Sequence, residues 1–154
     1  MKFTMTAPME VGISCRDLTK MRTFYEDVLG FSFISEIKGN ATVAQQLGLC
    51  AEGYTVARVQ TPYGERIKLL MSDSPPPEEK LSQYFLERMN RVYLTFIVKE
   101  LDSIVDRIRD CMEDKSRLTP IKEVRPGVRA AFCKDPEGNS VELVEFEDVA
   151  SYRK

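Results

Sequence analysis

The chain has 154 residues, a formal net charge of −2 and an apolar fraction of 43%. These values are typical of a globular domain that buries a core, and they lack the basic footprint of a nucleic-acid-binding protein. No apolar run reaches the roughly 18 residues that a membrane-spanning helix needs. We therefore expect neither a nucleic-acid partner nor a membrane partner.

The chain contains no histidine, which removes the commonest general base and the commonest transition-metal ligand together. Four cysteines, Cys15, Cys50, Cys111 and Cys133, are scattered without CxxC spacing. We interpret them as small apolar residues in a reducing compartment, with Cys111 on the apolar face of a helix. Residues 1 to 8 lack the apolar segment of a secretory signal, so a cytoplasmic location is expected.

The first half of the chain predicts a strand, a helix and three more strands. Residues 9 to 15 alternate, with Glu10, Gly12 and Ser14 on the more polar face. Asp17 is a candidate N-cap for a helix whose apolar positions recur at helical spacing until Gly30. Residues 31–37, 54–60 and 66–71 are predicted strands. Residues 39–53 fit either a loop or a short helix.

The second half repeats this order after a proline-rich segment. Residues 72–80 are a predicted linker, because three successive prolines prevent a strand or helix from continuing. A short helix is predicted at 81–89. Strands are then expected at 93–98, 121–124, 128–133 and 140–146, with a helix at 102–112. The tail, 147–154, is expected to fray.

Two matched segments show that the chain is a duplicated unit. Residues 10–18 (EVGISCRDL) recur as 93–101 (YLTFIVKEL), and 62–70 (PYGERIKLL) recur as 136–144 (PEGNSVELV). We therefore predict one domain over 1–154, with a βαβββ module at about 9–71 and a second at about 91–147. Four polar positions are equivalent in the duplication, and they are Glu10, Lys68, Tyr93 and Glu142.

Three motifs resemble the vicinal oxygen chelate superfamily, which includes glyoxalase I, bleomycin-resistance proteins and extradiol dioxygenases. They are VGISCRDL from Val11, FYEDVLGF from Phe24 and DPEGNSVELV from Asp135. The resemblance implies an α+β fold in which two tandem βαβββ modules form a cupped, incomplete eight-stranded barrel, with the helices outside. It also implies a small-molecule ligand, a pocket in the cup and a homodimer.

The resemblance also places the metal ligands of the superfamily on four positions of this chain. They fall on Glu10, Lys68, Tyr93 and Glu142, of which only Glu142 keeps a standard ligand identity. A protonated Lys68 repels a divalent cation and can pair with both carboxylates instead. We therefore expect a vestigial metal site, replaced by a Glu10–Lys68–Glu142 charge cluster, and no cofactor. A bound divalent metal is the lesser alternative.

The same four residues have a structural and a functional interpretation. They could be a salt bridge that fills the place of the ion, or they could bind the polar end of a small molecule. In an enzyme they would be the catalytic residues. Strand alternation and the repeat add six candidate ligand-binding residues, which are Ser14, Arg58, Arg66, Thr95, Phe132 and Ser140. For Arg66 a solvated position at the rim fits equally well.

Two classes of function follow. The first is a metal-free, drug-sequestering type of protein that binds a small organic molecule in the cup. The second is a metal-independent isomerase, cyclase or lyase, in which a glutamate moves a proton while Lys68 or Tyr93 stabilises an oxyanion. A metal-dependent lactoylglutathione lyase or dioxygenase ranks third. The sequence does not decide between enzyme and binding protein, and it does not name the ligand.

Overall fold

The computed structural model describes residues 5–78, 84–87 and 89–152, except the side chain of residue 151. The chain divides into two compact units, Met1–Glu78 and Glu79–Lys154. Residues 81–83 and 88 of the helix predicted at 81–89 lie outside the described residues, and a 3-10 turn at Phe85–Glu87 falls within it. No helix within the described ranges is both long and apolar enough to cross a membrane.

The first unit is a four-stranded sheet with two short helices. Its strands are β1 (Glu10–Ser14), β2 (Ser32–Gly39), β3 (Tyr54–Gln60) and β4 (Arg66–Ser72), and its helices are α1 (Leu18–Thr23) and α2 (Ala41–Gln46). The strand order is β1-β4-β3-β2. Strands β1 and β4 run parallel, and the other neighbours run antiparallel. This arrangement makes β4 a central strand beside both β1 and β3.

Local chemistry explains where the helices of the first unit begin and end. The Asp17 carboxylate accepts a hydrogen bond from the backbone N–H of Lys20 at 3.0 Å, so the predicted N-cap is confirmed. A π-helical turn at Phe24–Val28 continues α1, and Gly30 follows with a φ of +78°. Within 39–53, Asn40 caps α2 by accepting from the N–H of Val43, which resolves the open choice in favour of a helix.

The second unit has the same architecture. Its elements are β5 (Tyr93–Ile97), α3 (Leu101–Cys111), β6 (Lys122–Arg125), β7 (Val128–Lys134), β8 (Ser140–Phe146) and α4 (Val149–Tyr152). The strand order is β5-β8-β7-β6, with β5 and β8 parallel. The predicted α+β class with two tandem βαβββ modules is thus confirmed. Across the described residues each sheet is open, and neither closes into a barrel.

Two expectations for the second unit are wrong. Cys111 ends α3 in an exposed position, and does not join the buried face formed by Leu101, Val105 and Ile108. The tail is helical at α4, because its Tyr152 ring packs on Phe146 with centroids 4.5 Å apart.

One face of each sheet packs against its helix, and the other face carries the predicted site residues. The buried strand residues on the helix side include Ile13, Val59, Ile67 and Leu69 in the first unit, and Ala131, Cys133, Val141 and Leu143 in the second. Because side chains alternate along a strand, the residues between these positions project from the opposite face. Glu10, Lys68, Tyr93 and Glu142 all occupy such positions.

Candidate functional site

The first sheet gathers four charged side chains on one face. Glu10 lies on β1, Arg66 and Lys68 lie on β4, and Arg58 lies on β3. The register sets Glu10 opposite Arg66, and it sets Gly12, Lys68 and Arg58 in one row across the three strands. We call Glu10, Arg58, Arg66 and Lys68 the Glu10 cluster.

Glu10 is the single carboxylate of this cluster and is shared by three cations. Its Oε2 lies 3.6 Å from Arg58 Nε and 3.8 Å from Lys68 Nζ, and its Oε1 lies 3.8 Å from Arg66 Nη1. The side chains of Glu10 and Arg58 are each 27% exposed. With every group in its ordinary charge state the cluster carries a net charge of +2. The predicted pairing of Glu10 with Lys68 is therefore present, with two arginines added to it.

Small, apolar and uncharged polar residues surround the cluster on this face. Gly12 has no side chain opposite Lys68, and a Cβ built there would approach Leu70 Cδ1 to 3.2 Å. Ser14 lies at the other end of β1, in register with Leu70, and is not part of the cluster. The sequence did not single out Gln60, whose side-chain oxygen accepts a 2.7 Å hydrogen bond from Arg66 Nε and so orients that guanidinium.

The second sheet presents a carboxylate among aromatic rings. Glu142 on β8 is in register with Thr95 on β5 and Phe132 on β7, and it accepts a 2.7 Å hydrogen bond from Thr95 Oγ1. The Tyr93 ring makes edge contacts with Phe132 at 5.7 Å and with Phe85 at 5.2 Å between centroids. Glu142 belongs to a different unit from Lys68, so the predicted Lys68–Glu142 pairing stays a prediction.

The next row of this sheet contains a cation that the sequence did not single out. Tyr93, Ser140 and Lys134 lie in register across β5, β8 and β7. Lys134 Nζ donates to the buried Ser140 hydroxyl at 2.5 Å. Burial, followed by the guanidinium groups of Arg117 and Arg91, lowers the pKa of the Lys134 ammonium. Because Lys134 follows Phe132 by two residues, at the end of a predicted strand, the sequence could have placed both on the same face.

The thiols offer no nucleophile in this part of the sheet. All four cysteines are free, and Cys15 and Cys133 are buried. Burial, with a smaller effect of the Asp135 charge, raises the pKa of Cys133 to about 12. A thiol with such a pKa stays protonated at neutral pH and does not react readily. This agrees with the interpretation of Cys133 as a core residue.

A groove of about 440 Å³ lies at the other end of the second sheet. Its walls include Arg125, Val128, Phe146 and Tyr152, and they contain none of the ten predicted site residues. The Arg125 guanidinium lies 5.8 Å from the Phe146 ring centroid, and part of the groove floor is a small apolar cluster. The groove is therefore a separate site from the one that contains Glu142 and Lys134.

Comparison with known proteins identifies the family. The model of the Glyoxalase/Bleomycin resistance protein/Dioxygenase superfamily matches residues 8–143. The chain belongs to this superfamily. The resemblance of its sequence motifs is thereby confirmed, and the match spans both modules. No curated protein sequence matches the chain at a significant level.

Solved structures of superfamily members share the fold. A glyoxalase family protein from Bacillus cereus is 19% identical with a TM-score of 0.72, and the match covers 96% of this chain and 98% of that one. A glyoxalase family protein from Enterococcus faecalis is 17% identical with a TM-score of 0.61, over 94% of this chain and 100% of that one. At these identities the likeness shows the fold alone.

A fosfomycin resistance protein, FosX from Listeria monocytogenes, is a further structural relative. A variant of it in complex with Mn(II) and 1S,2S-dihydroxypropylphosphonic acid is 16% identical to this chain with a TM-score of 0.60. The match covers 97% of this chain and 98% of that one. That relative therefore holds a divalent metal in a fold that this chain shares.

The residues at the superfamily's metal positions do not fit a divalent cation. In the first unit these positions are Glu10, which three cations surround, and Lys68, whose ammonium is 3.8 Å from it. A metal at Glu10 would meet three positive charges and one carboxylate. In the second unit they are Tyr93, a poor ligand unless ionised, and Glu142. No group of three or more histidine, cysteine or acidic residues suited to a metal occurs within the described ranges.

Proposed function

We propose that this chain is a metal-free superfamily member of the drug-sequestering type that binds a small organic anion at the Glu10 cluster. The observation that carries the proposal is the excess of cations, because Arg58, Arg66 and Lys68 share one carboxylate. A carboxylate, enolate or phenolate would complete their pairing. Arginine also suits carboxylates because it can donate two parallel hydrogen bonds.

The proposed ligand is small and partly apolar. Ligand sites in proteins combine apolar walls with a few convergent polar groups that fix the orientation of the ligand. We assign the anion to Arg58, Arg66 and Lys68, and a hydrogen bond to Ser14 on the same face of the first sheet. Glu10 bridges the three cations and lowers the net positive charge that the ligand meets.

Replacing Lys68 with methionine tests this proposal. Lys68→Met removes the ammonium and keeps a stem of similar length, so binding of 4-nitrophenolate should weaken roughly tenfold, or 1.4 kcal/mol. The affinity is measured by NMR titration, following the amide signals of β3 and β4. Lys38→Met is the matched control, because Lys38 is an exposed lysine on β2 in register with Thr55, outside the cluster.

Two outcomes would contradict this proposal. One is an unchanged affinity in Lys68→Met when the variant melts like the parent chain. The other is stoichiometric Mn, Ni, Zn or Fe in protein purified without chelators, because a resident metal excludes the metal-free interpretation. Saturable binding without chemical change of the probe supports the sequestering class over the enzyme class.

A metal-independent isomerase, cyclase or lyase is the second candidate, and the environment of Glu142 favours it. Its carboxylate accepts a hydrogen bond from Thr95, and no cation of its own unit lies within ion-pair distance of it among the described residues. Such a carboxylate can accept a proton from carbon beside a carbonyl, while Tyr93 of the same unit stabilises the enolate. Of the four predicted catalytic residues, this mechanism uses Tyr93 and Glu142.

Deuterium exchange distinguishes the two candidates. In D₂O the enzyme candidate predicts that the chain accelerates exchange at the carbon beside the carbonyl of phenylpyruvate, observed by proton NMR. Glu142→Gln should abolish the acceleration and leave binding of phenylpyruvate within about twofold, since the amide keeps the size but cannot take the proton. Equal exchange with Glu142→Gln would remove Glu142 from the proposed mechanism.

We further propose that the chain forms a homodimer in the cytoplasm. Exposed apolar side chains in the first unit, such as Ile37, Leu47 and Leu49, support self-association. The four free thiols are consistent with a reducing compartment. Light scattering after size exclusion should give twice the chain mass of 17.6 kDa, and a monomer at micromolar concentration would contradict the dimer.

A further inference from the structure

Lys134 ends β7 in a half-buried position that the Glu10 cluster does not involve. Its Nζ donates to Ser140 Oγ at 2.5 Å, and the ammonium has two further donors. Strand alternation sets Lys134 on the same face as Phe132, two residues before it. A cation therefore lies beside the aromatic residues of the second sheet.

Residues 115–119 bring a second cation to this place. Leu118 pairs with Cys133 in an isolated antiparallel bridge, and Thr119 exchanges hydrogen bonds with Phe132. This register sets Arg117 beside Lys134. Both terminal nitrogens of the Arg117 guanidinium lie 3.4 Å from the carbonyl oxygen of Pro136, which holds the group in position.

No carboxylate forms an ion pair with Lys134 or Arg117 among the described residues of the second unit. The adjacent Asp135 carboxylate attracts Lys134 electrostatically, but it is fully buried and accepts bonds from Glu137 and Asn139 within the turn. Two neighbouring half-buried cations with no direct ion-pair partner are costly, and a bound anion would offset that cost.

The duplication puts a cation in the same row of the first sheet. Gln60 and Arg66 are the equivalents of Lys134 and Ser140 in the repeat, and they are hydrogen-bonded to each other as the later pair is. The first module uses its arginine to contact Glu10. The equivalent of Glu10 in the second module is Tyr93. This row of the second sheet therefore carries an aromatic ring where the same row of the first sheet carries a carboxylate.

We propose that Lys134 and Arg117, together with the rings of Tyr93 and Phe132, form a second anion subsite that takes an aryl carboxylate. The carboxylate of the ligand binds the ammonium and the guanidinium. Its ring lies along the edge formed by the two aromatic side chains, whose centroids are 5.7 Å apart. This subsite needs no residue of the Glu10 cluster, and Lys134 and Arg117 have no part in the function proposed above, so the two proposals are tested separately.

Benzoate titration of the intact chain tests the subsite, with the amide signals of β7 and β8 as the local readout. Lys134→Met should weaken benzoate at these signals about tenfold and leave the response of β3 and β4 unchanged. Lys122→Met is the matched control, since Lys122 is an exposed lysine on β6 of the same sheet. Lys68→Met should leave the β7 and β8 response unchanged. If Lys134→Met does not fold, Arg117→Met serves in its place.

A parallel titration with sulfate tests whether the subsite prefers an aryl carboxylate to a small anion without a ring. Benzoate should bind at least fivefold more tightly than sulfate at the β7 and β8 signals, because sulfate has no ring to contact Tyr93 and Phe132. Equal affinity for the two anions would overturn the aromatic part of the proposal. A benzoate response at β7 and β8 that Lys134→Met or Arg117→Met leaves intact would overturn the subsite itself.

Discussion

Replacing Asp135 with alanine should lower the free energy of unfolding of the second unit by about 3 kcal/mol. The Asp135 side chain is fully buried and accepts hydrogen bonds from the backbone N–H groups of Glu137 and Asn139 and from the Asn139 side-chain amide. These bonds form the turn between β7 and β8. Loss of the Asp135 carboxylate would leave those N–H donors without their charged acceptor at a fully buried position.

A chemical denaturation series measures this effect, and a thermal melt should show a decrease of about 10 °C. Asp135→Asn should lose less, because its amide oxygen still accepts part of the set. Asp114→Ala is the matched control. Asp114 also accepts from a backbone N–H two residues on, at Ser116, but it is exposed, so its removal should change stability little. Equal melts for Asp135→Ala and Asp114→Ala would contradict the burial argument.

The same turn explains why the sequence predicted so much of the fold. A turn motif followed by alternating residues fixes both a strand and the face to which each side chain points. The repeat then predicts that the equivalent residues of the other module lie on the same face of its sheet. Glu10 and Lys68 could be paired before the structure was known because the superfamily resemblance places both at ligand positions of one metal site. The motif at Asp135 works in the same way for Glu142.

Side chains brought in from outside the matched strands could not be predicted in this way. Arg117 reaches Lys134 because a segment without strand periodicity bridges to β7 at Leu118. Arg66 fitted a solvated rim equally well, and only the register with Glu10 shows its contact. The end of the chain was expected to fray because its residues are polar, but the Tyr152 ring packs on Phe146. Tertiary contacts decided each of these cases.

The Glu10 cluster shows how a changed residue type alters the chemistry of a shared position. In the superfamily pattern this position of the first module supplies a ligand to a metal. Here Lys68 introduces a charge of the same sign as the ion, and Arg58 and Arg66 add two more beside Glu10. On the function proposed above, this position binds an anion in place of a cation. A role of Glu10 in stability, in charge balance or in proton transfer predicts a different outcome when its charge is removed.

Replacing Glu10 with glutamine should change stability and anion affinity in opposite directions. The net charge of the cluster rises from +2 to +3, so 4-nitrophenolate should bind roughly tenfold more tightly at low ionic strength. Stability should fall by about 1 kcal/mol, since pairs at 3.6–3.8 Å with side chains 27–43% exposed are screened by solvent. The gain in affinity should shrink as salt is raised toward 1 M.

Titrations at low and high salt, with denaturation curves on the same samples, separate the three roles of Glu10. Glu36→Gln is the matched control, because Glu36 is an exposed glutamate of the same sheet that contacts Arg22 on the helix side. A fall in stability without any change in affinity would make the cluster a salt bridge alone. Tighter binding with loss of phenylpyruvate exchange would instead assign Glu10 to proton transfer, because the glutamine side chain cannot accept the proton.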